Sequence, residues 1–281
     1  MTYAVTGASG QLGRLAAEQL LATVDPAEVV LLTRDPARLA DLAERGADVR
    51  AADFGDPDGL VDALKGVDRL LLVSTDVVGA RLEGHVAAIE AAKAAGVQHV
   101  AYTSVPRPEA SNPALVVADH AGTEQALRES GLAWTMLRNN LYADMQPPTL
   151  AQAAATGSLV VNTGAGATAY VTRADCAAVA VGVLTGSGHG GQAYDVTGPA
   201  ALTAADLAAL AGGAGTEVAV VDLSDEAYAA ALVEHAGLPA PVAELLASFG
   251  AATREGYLAE VTDVVERVGG RTPTALASLL G

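Results

Sequence analysis

Short apolar runs alternate along the chain with longer Ala- and Leu-rich stretches whose apolar positions recur at helical spacing. The runs at residues 3–6, 29–33, 48–51, 69–73, 99–103, 133–137 and 194–196 predict strands. Helices are expected between them at 12–22, 36–45, 57–64, 80–95 and 119–130. This alternation predicts an α/β fold on a parallel sheet with helices on both faces. Residues 70–73 read Leu-Leu-Leu-Val, apolar throughout, as a strand covered on both sides requires. Asp35-Pro36 and Asp56-Pro57 each set a capping carboxylate before a proline suited to the first helical position. Gly46, Gly66, Gly96 and Gly131 stand where those helices should close.

The pattern changes after about residue 142. Pro147-Pro148 opens a further helix, 157–166 reads as a turn with a short strand, and a helix capped by Asp175 follows. From residue 202 onward the chain is mostly helical, with one strand expected at 217–221. The Ala-rich stretch 199–215 keeps leucines at 202, 207 and 210 and reads as an ordinary helix.

One segment points to a ligand. Thr6-Gly7-Ala8-Ser9-Gly10-Gln11-Leu12-Gly13 follows the first strand and opens the first helix. Gly7 permits the tight turn, Gly10 lets backbone amides of the Ser9–Leu12 stretch approach a pyrophosphate, and Gly13 allows close helix–strand packing. The phosphates would sit at the positive end of that helix. Further βα units lie behind it, so the context is that of a dinucleotide fold. The sheet is therefore expected to be a Rossmann-type, doubly wound one. Residues 1–145 would form the dinucleotide-binding core, completed by parts of 157–198. Residues 199–281 would form a smaller, mostly helical lobe covering the substrate at the carboxyl edge of the sheet.

The end of the second strand chooses the nucleotide. Asp35 is explained as a helix cap, whereas Arg34 offers a guanidinium fork suited to a ribose 2′-phosphate, with Arg14 and Arg38 nearby. NADPH is expected over NADH. Asp53 and Phe54 are placed to border the adenine. Ser74, Thr75, Thr103 and Ser104 lie at carboxyl ends of strands, where open α/β sheets bind ligands.

Composition narrows the partners. In 281 residues, 51% hydrophobic, 16 basic residues face 33 acidic ones for a net charge of −17. Such a surface disfavours nucleic acid and anionic membranes alike. The lone Cys176 permits no intramolecular disulfide and is expected as a small packed residue. No signal-like start and no membrane-length apolar run is read, so a soluble cytoplasmic protein is expected. The histidines show no metal-ligand spacing, His99 reading as a packed or edge residue, and no metal is expected.

One familiar arrangement is missing. Many short-chain dehydrogenases carry a tyrosine and a lysine four residues later on one helix face. The only lysines are Lys65 and Lys93, preceded four residues earlier by Val61 and Ile89. Where the pair would be sought stand His120 and Glu124, read as a solvated helix pair. A protein without it either binds the cofactor without chemistry or reduces an acceptor that needs little acid help. A quinone is such an acceptor, since hydride addition gives an intrinsically stabilised hydroquinone anion.

At these residues the chain resembles the NmrA-like branch of atypical short-chain dehydrogenases, and within it the flavin-free bacterial NAD(P)H:quinone oxidoreductases. The motifs are TGASGQLG (6–13), LTRDPARL (32–39), ADFGD (52–56), LLLVST (70–75), AAKAAGVQHVAYTS (91–104), LRNNLY (137–142), TRADCA (172–177) and LSDEAYAAALVEHAGLP (223–239). The resemblance implies NADPH-dependent quinone reduction in a cleft between sheet edge and lobe, with Asn139 and Tyr142 positioning the substrate. Asn140-Leu141 departs from the glycine and aromatic common there, so the pocket shape is this chain's own. The proline-stiffened loop 105–113 is expected to shape its mouth. A polycyclic aromatic quinone would make the protein the reductase component of a two-component monooxygenase system in polyketide tailoring, with a partner oxygenase. The alternative is a non-catalytic NADP-sensing regulator; a sugar-nucleotide epimerase is disfavoured by the missing base.

Overall fold

The computed structural model describes the chain apart from residues 76–80, 214 and 281. In chain order its first half comprises β1 (Tyr3–Val5), α1 (Gln11–Leu21), β2 (Val29–Thr33), α2 (Ala40–Glu44), β3 (Asp48–Ala51), α3 (Pro57–Ala63), β4 (Arg69–Leu72), α4 (Arg81–Ala95), β5 (His99–Ser104), α5 (Val117–Glu129) and β6 (Ala133–Asn139). The expected first residue of α4, residue 80, lies outside the described residues. Then come α6 (Gln146–Thr156), β7 (Ser158–Val161), β8 (Ala167–Thr168), α7 (Arg173–Thr185), β9 (Gln192–Val196), β10 (Leu202–Thr203) and α8 (Ala204–Gly212). The chain closes with β11 (Ala219–Asp222), α9 (Asp225–Ala236), α10 (Ala240–Arg254) and α11 (Val264–Arg267).

Seven strands pair in the order β3-β2-β1-β4-β5-β6-β9, every pair parallel. This is the expected Rossmann-type doubly wound sheet. Successive strand residues feed opposite cores. Val29 and Leu31 of β2, Leu71 of β4 and Ala101 of β5 pack with Ala16, Leu20, Val179 and Val183 from α1 and α7. Val30, Leu32, Leu70, Leu72, Val100 and Tyr102 pack on the other face with Leu60, Ile89 and Leu127 from α3, α4 and α5. Both faces are dry, which is why β2 and β4 show no polar alternation.

The chain order reverses between β1 and β4, so the crevice at their carboxyl ends is where such sheets take ligands. Two small sheets lie apart: β7 pairs with β11 and β8 with β10. These pairings join residues 158–168 to 202–222, across the boundary expected at 199. Their strands and α6 and α8 enclose a third core around Leu150, Leu159, Tyr170 and Leu207.

Three local readings need correction. In the stretch 199–215, expected as one helix, Leu202 and Thr203 form β10 and α8 spans only Ala204–Gly212. The helix expected at 36–45 is a 3₁₀ segment, Pro36–Leu39, followed by α2, though Asp35 does cap it through the Ala37 amide at 3.2 Å. Asp175 does not cap α7: the Thr172 hydroxyl accepts the Asp175 amide hydrogen at 3.1 Å. The buried Asp175 carboxylate instead accepts from the Thr274 amide at 2.8 Å and pairs with Arg271, tying down the C-terminal segment.

Candidate active site

The turn between β1 and α1 is built from its glycines upward. Gly7 sits at φ 59°, in the left-handed region. Its carbonyl accepts the Gly10 amide hydrogen at 2.8 Å and closes the turn. A Cβ on Gly13 would stand 2.2 Å from that carbonyl oxygen, so only glycine lets α1 lie against the turn. α1 starts after Gly10 with no side-chain cap, as several other helices of the chain do. The leading amides of α1, at Gln11, Leu12 and Gly13, thus keep their hydrogens for an anion. A dinucleotide pyrophosphate fits this cradle in shape and in charge.

Neighbouring side chains stiffen it. The Thr6 hydroxyl accepts the Val73 amide hydrogen at 2.9 Å, locking the end of β1 to that of β4. Ser9 and Thr33 share a hydrogen bond of 2.9 Å between their hydroxyls. Arg38 donates to the Ser9 carbonyl at 3.3 Å. Arg34 is exposed and makes no ion pair among the described residues. Arg14 is committed elsewhere, to Glu18 at 2.6 Å and to Asp41. The cationic cluster expected near a 2′-phosphate therefore reduces to Arg34 and Arg38. Asp53 is exposed, its carboxylate accepting the Gly55 amide hydrogen at 2.9 Å, and the half-buried Phe54 packs beside α4.

At the edge of β4 and β5 the Ser74 amide donates to the Thr103 hydroxyl at 2.8 Å, and Thr103 donates to the Ser74 hydroxyl at 3.3 Å. These residues and Thr75 form one rim, as their strand-end positions suggested. Ser104 points to the other face, where its hydroxyl donates to Glu124 at 2.8 Å.

The reading of His120 and Glu124 as a solvated pair is overturned. His120 is 3% and Glu124 1% exposed, because this face of α5 lies on the sheet. Nor do they pair with each other. Glu124 accepts from Arg138 twice, at 3.0 and 2.9 Å, and from Arg128 at 2.6 Å. Burial alone would raise its carboxyl, but the bonds from Arg138 and Ser104 outweigh it and hold the group below its ordinary value. His120 donates from Nδ1 to the Tyr102 hydroxyl at 2.7 Å, since Nε2 faces the Arg81 guanidinium at 3.1 Å. Burial, then the Arg81 charge, push its pKa down to about 3. The helix that would carry a tyrosine and a lysine thus holds a fixed anion and a neutral imidazole with its proton already given.

Asn139, the last residue of β6, is buried, and its Oδ1 has no hydrogen-bond partner among the described residues. Tyr142 bridges to Val171 and is half-buried, with the Arg173 guanidinium 4.5 Å from its ring centre. Burial pushes its hydroxyl well above its ordinary range. Asn140 turns into the structure and donates to the Leu258 carbonyl at 3.0 Å. In loop 105–113, the exposed Arg107 adopts φ 42° and lies 4.4 Å from the ring centre of Tyr257. A cavity of about 380 Å³ opens among Tyr170, Pro199, Leu202, Leu210 and Leu276.

Sequence reasoning missed the Ser104–Glu124–Arg138 unit and Arg173, although LRNNLY and TRADCA contained two of these residues. It also missed His85, a lone histidine in an Ala-rich helix with no local signal.

Residues 7–186 match the model of the NAD(P)H-binding family. The chain belongs to that family. Over 98% of its length it is 39% identical to quinone oxidoreductase 2 of Escherichia coli K12, covering 96% of that protein. The NADPH complex of an NADPH-dependent quinone oxidoreductase from E. coli superposes with a TM-score of 0.95 at 38% identity, covering 99% of this chain and 98% of the other. The NADP(H) complex of Citrobacter triphenylmethane reductase gives 0.92 at 31%, covering 100% and 99%. The resemblance drawn from the motifs agrees with these likenesses, two of which are complexes with NADPH or NADP(H). Among the described residues no helix is long and apolar enough to cross a membrane.

Proposed function

We propose that the protein is an NADPH-dependent reductase that passes hydride to a quinone without a flavin. One observation carries this reading: a complete dinucleotide cradle stands beside an α5 that offers no proton. When bound, NADPH supplies the hydride. The α1 amides hold its pyrophosphate and Arg34 its 2′-phosphate, while Asp53 and Phe54 border the adenine. Ser74, Thr75 and Thr103 line the rim on which the nicotinamide lies, whereas Ser104, expected there, is turned away to Glu124. Asn139 and Tyr142 orient the acceptor, and Arg173 steadies the Tyr142 ring. Glu124 is held ionised and His120 neutral, so the hydroquinone anion takes its proton from water. Positioning then supplies most of the rate.

The acceptor class extends from simple benzoquinones to polycyclic aromatic quinones. In the polycyclic case the reduced product would pass to a partner oxygenase in polyketide tailoring. The buried lone Cys176 suits a reducing compartment, and the cytoplasm is the proposed location. The test follows reduced-nicotinamide absorbance against a quinone panel. Oxidation above the protein-free blank with at least one quinone is expected. None across the panel would reject the reductase and leave the NADP-sensing alternative.

A further inference from the structure

A chain of buried side chains runs beneath the dinucleotide rim and meets it at Thr75. His85, on α4, is fully buried. Its Nε2 receives the Thr75 amide hydrogen at 3.1 Å. A backbone amide only donates, so Nε2 is bare and the ring proton sits on Nδ1. There it faces the Thr123 hydroxyl at 3.0 Å and, more distantly, Tyr102 Oη at 3.4 Å. Thr123 gives its own proton to the Asp119 carbonyl at 2.8 Å, leaving lone pairs for His85. His120 takes the same tautomer because Arg81, which cannot accept, faces its Nε2. The His85 ring also stands in a T-shaped arrangement with Phe54, with centroids 6.2 Å apart and planes at 78°. One imidazole therefore braces two segments that sequence distance separates, Phe54 after β3 and Thr75 after β4.

We propose that His85 is a positioning residue for the dinucleotide: as a neutral, Nδ1-protonated acceptor it fixes the Thr75 backbone and the Phe54 ring that form two walls of the pocket. This rests on the cofactor reading above and adds to it the element that sets those walls. Neutrality follows from the surroundings. Burial is the main influence, Arg81 adds to it, Asp119 opposes it, and Tyr102 and His120 are the other titratable groups on the facing β5 and α5. A charged imidazole would carry a proton on Nε2 and turn the Thr75 bond into a clash of two donors.

Two substitutions separate positioning from mere packing. In His85→Gln, the side-chain oxygen reaches the place of Nε2 and accepts the Thr75 hydrogen; in His85→Leu the volume remains and the acceptor is lost. NADP⁺ binding is measured by calorimetry on full-length protein at neutral pH, since NADP⁺ withstands long titrations. The Leu variant should bind about tenfold more weakly, roughly one net hydrogen bond, while Gln should stay within about twofold of the natural protein. Equal losses in Gln and Leu, or no loss in Leu, would overturn the proposal. Should Leu fail to fold, long-range ¹H–¹⁵N imidazole spectra of the natural protein decide, with the His85 signals assigned by their absence from His85→Gln. A bare Nε2 supports the proposal and an Nε2–H tautomer overturns it. If the natural protein itself takes up no NADP⁺, the cofactor reading has failed first, which the variant comparison alone would not produce.

Discussion

Replacing Glu124 with glutamine tests whether α5 contributes charge to the fold or a proton to the reaction. The carboxylate is 1% exposed and meets two guanidinium groups, Arg138 at 22% and Arg128 at 38% exposure, along with the Ser104 hydroxyl. Glutamine keeps one acceptor oxygen but turns an N–H₂ towards donors and strips the anion from a half-sheltered cation. Breaking a fully buried pair costs about 3–5 kcal/mol; with both arginines able to rehydrate in part, about 2–3 kcal/mol is expected here. Urea unfolding followed by circular dichroism reads this loss. The pH profile carries the same information. Despite burial, the bonds from Arg138 and Ser104 hold the Glu124 carboxyl below its ordinary value. Its stabilisation is therefore present above the unfolded carboxyl pKa and lost as pH falls through the lowered folded value. The variant should lack that part of the acid transition. Turnover with a saturating quinone should stay within about threefold, whereas removing a general acid costs about 10²–10⁴. A stability change under about 0.5 kcal/mol would refute the charge argument, and a hundredfold loss of turnover in folded protein would refute the absence of proton transfer.

Other perturbations reach the remaining parts of the account. Gly13→Ala puts a methyl group 2.2 Å from the Gly7 carbonyl oxygen, so α1 must shift; about 2–3 kcal/mol of stability and most NADPH affinity should be lost, read by thermal unfolding and calorimetry. Arg34→Ala should weaken NADPH about tenfold or more and leave NADH nearly unchanged, and equal losses for both would reject the 2′-phosphate contact. His85 and His99, both depressed by burial from 6.5 to about 4, stabilise the fold at neutral pH and lose that contribution as pH drops from 6.5 towards 4. Each should cost about 2 kcal/mol by pH 5, so a stability flat from pH 7 to 5 would contradict their burial as neutral rings.

What could be read in the sequence was short-range. The Asp-Pro caps at Asp35 and Asp56 and the turn Gly7–Gly13 involve residues within a few positions of each other, and the structure has them as expected. The all-apolar β4 announced a sheet covered on both faces, because an exposed face would have demanded alternation. Ser74 and Thr103 were legible as strand ends, though their mutual bond follows from the β4–β5 register. Pairing of β7 with β11 was invisible, since nothing local links residue 158 to residue 219. Burial of His120 and Glu124 was missed for another reason. An i, i+4 spacing says that two residues share a helix face, and only the docking of α5 on β5 and β6 decides whether that face is wet. Ala-rich helices make this harder, because alanine suits core and surface alike. His85 gave no sign at all: its partners come from α5, β5 and the end of β4.

The claim on which the rest depends is that hydride reaches the acceptor with no proton supplied by the protein. A single-turnover experiment, mixing the NADPH complex with a quinone in H₂O and in D₂O, addresses it most directly. The account predicts one reduced nicotinamide consumed per quinone and rates in the two solvents that agree closely. Failure to consume NADPH, or a rate at least twofold slower in D₂O, would contradict it.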